Sequence, residues 1–168
     1  HFEPRLIEYH IDRESIDAAF DDLTDQLEED ERSDITRRAA RMVNFIHNQE
    51  RVEKVAEDIV KHFQQHVEPN GYKAMVVCYD RQACVQYKQA LDLLLATDIS
   101  EIVMTLARGD PDEWKQRWER SKDDEERLLD RFRDPLVSLQ ILIVTSKLLT
   151  GFDAPILQTM YLDKLMKN

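Results

Sequence analysis

The sequence has little glycine and cysteine, and it lacks a long apolar run. Only three of its 168 residues are glycine and only two are cysteine. No apolar stretch approaches the roughly 20 residues that cross a bilayer, so we expect no membrane segment. Cys78 and Cys84 lie in apolar sequence. They are typical of small core residues in a reduced, cytoplasmic protein, and neither a disulfide framework nor a zinc site is expected.

The N-terminus also lacks familiar features. It begins His-Phe-Glu-Pro, without an initiator Met and without a charged start followed by an apolar stretch. This beginning lacks the pattern that is typical of a secretory signal. It predicts a segment of a longer polypeptide.

Acidic charge is concentrated in one stretch. The formal net charge is -11. Residues 13–34 hold ten acids and two arginines, which contribute -8 and leave -3 for the rest of the chain. This balance argues against broad, nonspecific nucleic-acid binding. It still allows a narrow contact made by backbone amides and a few hydroxyls.

The chain divides into two regions of different pattern, residues 1–70 and 71–168. Residues 5–12 alternate like a short strand, and three apolar stripes of helical spacing follow from Arg13 to about Val67. The acidic part of the first stripe, from Asp21 to Glu31, is interpreted as a solvated helix end. Pro69-Asn70-Gly71 then predicts the end of the helical region.

Strands and helices alternate from residue 71 onwards. Apolar runs predict strands over 73–79, 101–107, 139–145 and 157–162, and helical spacing predicts helices over 81–95 and from Gly109 to about Phe132. This alternation predicts a parallel sheet with helices on both faces, a three-layer α/β domain preceded by a helical region. Ligands bind such sheets beyond the carboxyl ends of the strands, so residues 79–81, 108–110 and 145–155 are the candidate site segments.

The segment from Val144 to Pro155 carries the chemistry. A buried strand ends in two hydroxyl residues, and Thr150-Gly151-Phe152-Asp153 follows after a short apolar turn. Hydroxyls and exposed amides beside a glycine bind phosphate oxygens, and a carboxylate accepts a hydrogen bond from a ribose hydroxyl. A tight turn in which Asp153 bonds only to backbone explains the same residues equally well.

This segment resembles motif V of superfamily 2 helicases, Thr-(five residues)-Gly-x-Asp after a parallel strand. The longer string from Ile143 to Lys164 resembles the motor (R, restriction) subunit of type I restriction-modification enzymes. Lys73-Ala-Met-Val-Val-Cys-Tyr-Asp-Arg-Gln-Ala83 is similar to the same family's motif IV, which opens the second RecA-like lobe. The resemblance covers roughly 120 residues, including the helical stretch from Arg51 to Val60.

The resemblance implies a role for each matching residue. Gly151 and Asp153 would face the nucleotide across the cleft between two lobes. The contacts to the DNA backbone would come from Cys78, Tyr79, Arg81, Thr145, Ser146 and Thr150. Ser146 departs from the pattern, which commonly has Asp at that position, so the loop lacks the carboxylate that the pattern places there.

The resemblance also implies what the rest of the protein supplies. This chain has neither a Gly-x-x-x-x-Gly-Lys-Ser/Thr loop nor an Asp-Glu metal pair of the helicase type, and Asn168 precedes the place of motif VI. In the family, the first lobe binds ATP and Mg²⁺ and a separate nuclease domain cuts double-stranded DNA. Methyltransferase and specificity subunits complete the complex. We therefore expect no catalytic residue, no metal ligand and no ATP hydrolysis in this chain alone.

Two other functions stay open from the sequence. One is the second lobe of another superfamily 2 helicase. The other is a non-enzymatic α/β binding domain, in which the Thr150–Asp153 segment is only a turn.

Three minor patterns favour structural explanations. His62 and His66, one turn after Asp58, have the spacing of a metal face, but a helix face without metal is the preferred interpretation. Pro111-Asp112-Glu113-Trp114-Lys115 is similar to a nuclease signature only by chance, since its acids are neighbours at a helix start. Trp114 and Trp118 are expected to pack a helix on the sheet.

Overall fold

The computed structural model describes residues 34–163, with side chains from residue 39. These residues fall into two compact units, 34–55 and 56–163. The predicted strand over 5–12 and the first apolar stripe lie outside the described residues. The predicted division at residues 70 and 71 stays a prediction.

The helices and strands agree with most of the predicted elements. In chain order they are α1 (Asp34–Ile46), α2 (Gln49–His62), a π-helical turn (Phe63–Val67), a 3-10 turn (Glu68–Asn70), β1 (Lys73–Cys78), α3 (Arg81–Leu94), β2 (Ser100–Val103), α4 (Asp112–Trp118), α5 (Lys122–Arg133), β3 (Ile141–Val144) and β4 (Leu157–Asp163). Gly71 ends the helical region at φ 75°, as predicted, because glycine adopts this left-handed conformation without a steric cost.

The prediction of a single helix from Gly109 to about Phe132 is wrong. Two helices, α4 and α5, occupy this stretch. The break falls where Arg120 donates to the carbonyl of Ile102 at the end of β2, with an Nη1–O distance of 2.7 Å. The Ser121 Oγ then accepts from the Asp124 amide at 3.1 Å and caps α5. A tertiary contact and a new N-cap therefore interrupt a continuous helical pattern.

The sheet has four parallel strands in the order β2-β3-β1-β4. Val144 of β3 is paired with Val77 of β1, and Leu157 of β4 is paired with Lys73 of β1. Strands of a parallel sheet must be joined by chain that returns past the sheet, and α3 and α5 provide two of these returns.

Helices cover both faces of the sheet. On one face, buried residues of β1, β2 and β3 pack against Leu128, Leu129 and Phe132 of α5. On the other face, α3 contacts β1, β2 and β3, and the π-helical turn contacts β1. All residues of β1 and β3 are buried, which explains their continuous apolar sequences. The predicted three-layer α/β fold of the RecA-like type is confirmed.

Candidate functional site

The connection between β3 and β4 (residues 145–156, hereafter the motif V loop) runs from one end of the sheet to the other. It begins after Val144, level with Val77 at the carboxyl end of β1. It ends before Leu157, level with Lys73 at the amino end of β1. Four residues of a strand span about 13 Å, so the loop crosses most of the depth of the sheet. Its two parts therefore lie in different places: a carboxyl-edge limb, residues 145–149, and a return limb, residues 150–156.

The carboxyl-edge limb contains a strained turn. Ser146 is exposed and Thr145 is half-buried. The Leu149 amide donates to the Ser146 carbonyl at 3.4 Å, which closes the turn. Leu148 has φ 70° and is the single non-glycine residue with positive φ in the described part of the chain. A left-handed leucine costs roughly 1–2 kcal/mol. Such strain is concentrated at ligand sites and persists where packing imposes it; here Leu148 packs against the apolar core.

The return limb begins with an exposed Thr150 and Gly151. Gly151 has φ 77°, and a Cβ at this position would meet no atom within 4 Å. Glycine is therefore required here for its backbone conformation and not for lack of space. Asp153 is exposed, and its main-chain carbonyl accepts a hydrogen bond from the Arg133 Nε at 3.3 Å.

Helix α5 holds both limbs. In the first turn of α5, Glu125 Oε2 forms an ion pair with Lys147 Nζ at 2.5 Å. At its end, the Arg133 guanidinium lies 5.2 Å from the Phe152 ring centroid, and the Phe132 and Phe152 rings are 6.2 Å apart. Glu125 and Arg133 are eight positions apart, which is about 12 Å along the helix backbone. The helix thus contacts the motif V loop through residues near its start and at its end.

Sequence reasoning missed this helix as part of the site. Each of its two attachment residues precedes its partner in the motif V loop by about 20 positions, and no local pattern pairs them. One weak feature of the sequence points to Arg133. Glu126, Asp130 and Arg133 recur at helical spacing, and both acids accept from Arg133 Nη1, at 2.9 and 2.8 Å. The hydrogen bond to Glu126 is the main cause that raises the pKa of Arg133.

Cys78, at the end of β1, differs from its predicted role in one respect. Its side chain is fully buried, and burial raises the pKa of its thiol well above the usual value, with a further contribution from a hydrogen bond to Cys84. It is therefore a neutral core thiol. Only the main chain of Cys78 is available for the predicted contact with DNA, whereas Tyr79 is 43% exposed.

Arg81 links two of the candidate segments. Its Nε lies 2.8 Å from Asp110 Oδ2, and the same oxygen accepts from the Ala107 amide at 2.6 Å. The Ala107 hydrogen bond, followed by the bond to Arg81, lowers the pKa of Asp110. These residues follow β1 and β2, the strands on either side of β3. The structure therefore brings residues 79–81 and 108–110 together at the carboxyl end of the sheet.

The residues of the three minor patterns lie outside the candidate segments. His62 Nδ1 is 2.8 Å from the Tyr161 hydroxyl, and the His62 ring is 5.0 Å from that of His66. Between residues 34 and 163, no group of three or more His, Cys, Asp or Glu side chains could hold a metal ion. Asp112 and Glu113 lie in the first turn of α4, and Trp118 is buried.

Within the same residues, no helix has both the length and the apolar character needed to cross a membrane.

Comparison with known proteins gives one consistent result. Residues 110–168 match the family model of type I restriction enzyme subunit R domain 3. The chain is 33% identical over its whole length to the putative type I restriction enzyme MjaIXP endonuclease subunit of Methanocaldococcus jannaschii. It is 37% identical, over 94% of its length, to the type I restriction enzyme HindI endonuclease subunit of Haemophilus influenzae.

The matched region is a small part of each relative. The chain spans 16% of the Methanocaldococcus protein and 15% of the Haemophilus protein. A second Methanocaldococcus relative, the putative MjaVIIP endonuclease subunit, is 38% identical over 70% of the chain. The matches confirm the resemblance found in the motifs, and the chain belongs to the family of type I restriction enzyme R subunits.

Proposed function

We propose that this chain is part of the second RecA-like lobe of the R subunit's DNA motor. In this role it contributes contacts to the DNA backbone and one wall of the ATP cleft. The intact protein would translocate double-stranded DNA at the expense of ATP, and a separate nuclease domain of the same subunit would cut it. The observation that carries the proposal is the course of the motif V loop, which presents hydroxyls at one end of the sheet and Asp153 on its return.

The carboxyl-edge limb suits a sequence-independent grip on DNA. Thr145 and Ser146 offer hydroxyls, and Arg81 offers a guanidinium that is already oriented by Asp110. Tyr79, two residues before Arg81, is exposed, and so is Thr150 at the start of the return limb. Contacts to phosphate carry no base information, which suits a motor that must hold every sequence alike. A narrow contact of this kind is also compatible with the acidic net charge.

The return limb suits a contact with nucleotide. Asp153 is exposed and its backbone is held by Arg133, so its carboxylate is available to accept a hydrogen bond from a ribose hydroxyl. The flexible Gly151 allows a close approach of its amide. ATP and Mg²⁺ would be bound mainly by the first lobe of the same subunit. This chain alone is then inactive as an ATPase.

The proposed partners follow from the family. The first RecA-like lobe and the nuclease domain would belong to the same polypeptide, and the methyltransferase and specificity subunits to the same complex. The recognition sequence would be set by the specificity subunit. A cytoplasmic location agrees with the two buried, free cysteines.

The test is Asp153→Ala in the full-length R subunit, assembled with its partner subunits. We expect kcat/KM for ATP in DNA-stimulated hydrolysis to fall about 10- to 100-fold, the scale of losing one hydrogen bond to a charged group, roughly 1.5–3 kcal/mol. Glu68→Ala is the matched control, because it removes an exposed carboxylate from the turn before β1. Unchanged hydrolysis in Asp153→Ala would favour a binding domain in which this segment is only a turn.

A further inference from the structure

Arg133 is the last residue of α5 and the point where this helix meets the return limb. Its Nε donates to the main-chain carbonyl of Asp153 at 3.3 Å. Its guanidinium also lies 5.2 Å from the centroid of the Phe152 ring. Two neighbouring residues of the return limb are thus held by one side chain from another element.

The Arg133 side chain is itself held in place. Its Nη1 donates to Glu126 Oε1 at 2.9 Å and to Asp130 Oδ1 at 2.8 Å, and both acids lie on α5. The planar guanidinium therefore has a fixed direction before it meets the loop. A group oriented in advance loses little conformational freedom when it makes its next contact.

Phe152 completes the attachment. It packs partly against the apolar core, and its ring is 6.2 Å from that of Phe132. The side chains of consecutive residues, Phe132 and Arg133, thus contact the same aromatic ring. The backbone between Gly151, at φ 77°, and the buried Ala154 has its direction set by these contacts.

We infer that Arg133 is a positioning residue, which orients the return limb so that the Asp153 carboxylate faces the nucleotide. The inference rests on the proposed function, in which Asp153 contacts ATP. Arg133 does not touch the nucleotide in this role. It acts through the backbone of Asp153, whose carbonyl it binds.

A purely structural role makes a different prediction. Exposed ion pairs contribute little to stability, so losing the contacts with Glu126 and Asp130 should hardly affect folding. Arg127 provides the matched control on the same helix. It pairs with Asp124 at 3.0 Å, and its side chain is 76% exposed.

The experiment compares three single variants of the full-length R subunit in its complex: Arg133→Gln, Arg127→Gln and Asp153→Ala. ATP hydrolysis is measured over a range of ATP and of DNA concentrations. Arg133→Gln should raise the KM for ATP about tenfold and leave the DNA concentration for half-maximal activity unchanged. Arg127→Gln should change neither the KM for ATP nor the DNA concentration for half-maximal activity. An equal effect of the two arginine variants, or an unchanged KM in Arg133→Gln, would overturn the inference.

The double variant Arg133→Gln/Asp153→Ala tests whether Arg133 acts through Asp153. Its kcat/KM for ATP should equal that of Asp153→Ala alone, because no carboxylate remains to be positioned. If the losses in kcat/KM of the two single variants multiply in the double variant, Arg133 acts independently of Asp153. Wild-type activity in Asp153→Ala would instead refute the proposed function itself.

Folding is checked by thermal unfolding of each variant. If Arg133→Gln unfolds at a lower temperature, Arg133→Met replaces it. Methionine keeps an unbranched apolar side chain beside Phe152 but cannot donate to the Asp153 carbonyl. A raised KM for ATP in a fully folded Arg133→Met supports the inference, and a wild-type KM overturns it.

Discussion

The two limbs of the motif V loop differ in their place on the sheet and in what holds them. The carboxyl-edge limb contains a turn with a left-handed leucine and is tied to α5 by the Lys147–Glu125 ion pair. The return limb uses a left-handed glycine and an aromatic contact, and is tied to α5 by Arg133. The first attachment is an ion pair between two side chains, and the second combines a hydrogen bond to the main chain with a guanidinium that lies over an aromatic ring.

This difference follows from the topology. A loop between parallel strands must travel back along the sheet, so one short motif reaches two separate surfaces. In the proposed motor, the first limb would hold DNA and the second would face nucleotide. Helix α5 contacts both limbs, through Glu125 at the first and Arg133 at the second.

The largest expected effect comes from the support of the return limb. Phe132→Ala removes a fully buried ring that packs against Phe152 and Leu142 in the same cluster. The free energy of unfolding should fall by about 3–5 kcal/mol, as for other large-to-small core changes. Urea unfolding of the chain measures it. Leu136→Ala is the control, because Leu136 is 93% exposed and its change should stay within about 0.5 kcal/mol.

A second prediction separates the limbs by function. Thr145→Val removes a hydroxyl from the carboxyl-edge limb and nearly preserves the side-chain volume. In the full-length subunit it should raise the DNA concentration for half-maximal ATP hydrolysis by about tenfold, or 1.4 kcal/mol. The KM for ATP should not change. Asp153→Asn should raise the KM for ATP and leave the DNA concentration for half-maximal hydrolysis unchanged. The same changes in both variants would contradict a functional distinction between the limbs.

A third prediction concerns the backbone of the return limb. Gly151→Ala places a Cβ in open space but at φ 77°, so the cost is conformational only. The free energy of unfolding should fall by about 1 kcal/mol. Gly109→Ala is matched to it, since Gly109 also has open space around it and has no positive φ. An equal loss in both variants would contradict the conformational explanation.

The smallest expected effect is a pH dependence at the carboxyl edge. Hydrogen bonds from Ala107 and Arg81 lower the pKa of Asp110 from its ordinary value. A carboxylate whose pKa is lowered by folding adds stability above its unfolded pKa, and this stability is lost as pH falls through the folded pKa. Wild type should therefore exceed Asp110→Asn in unfolding free energy near neutral pH, and the difference should shrink as the pH falls through the lowered pKa of Asp110. Urea unfolding at several pH values from neutral to acid measures this difference. A difference in unfolding free energy that grows as the pH falls would contradict the prediction.

Much of the sheet could be predicted because its strands are nearly continuous apolar runs. Lys73–Cys78 and Ile141–Val144 are buried on both faces, and such runs of β-forming residues have few alternatives. The helix break before Ser121 could not be predicted, because it depends on Arg120 reaching the end of β2. The Arg81–Asp110 ion pair depends in the same way on strands that are distant along the chain.

The amino-acid sequence by itself determined the class of fold, the family and the position of the motif that is proposed to contact DNA and nucleotide. It did so because strand and helix periodicities and the Thr145–Asp153 pattern are local. Only the tertiary structure decided which end of the sheet each limb of the motif V loop occupies and which helix holds it. These features arise from the pairing of β1 with both β3 and β4 and from the packing of α5, and contacts between residues so far apart leave no local signal.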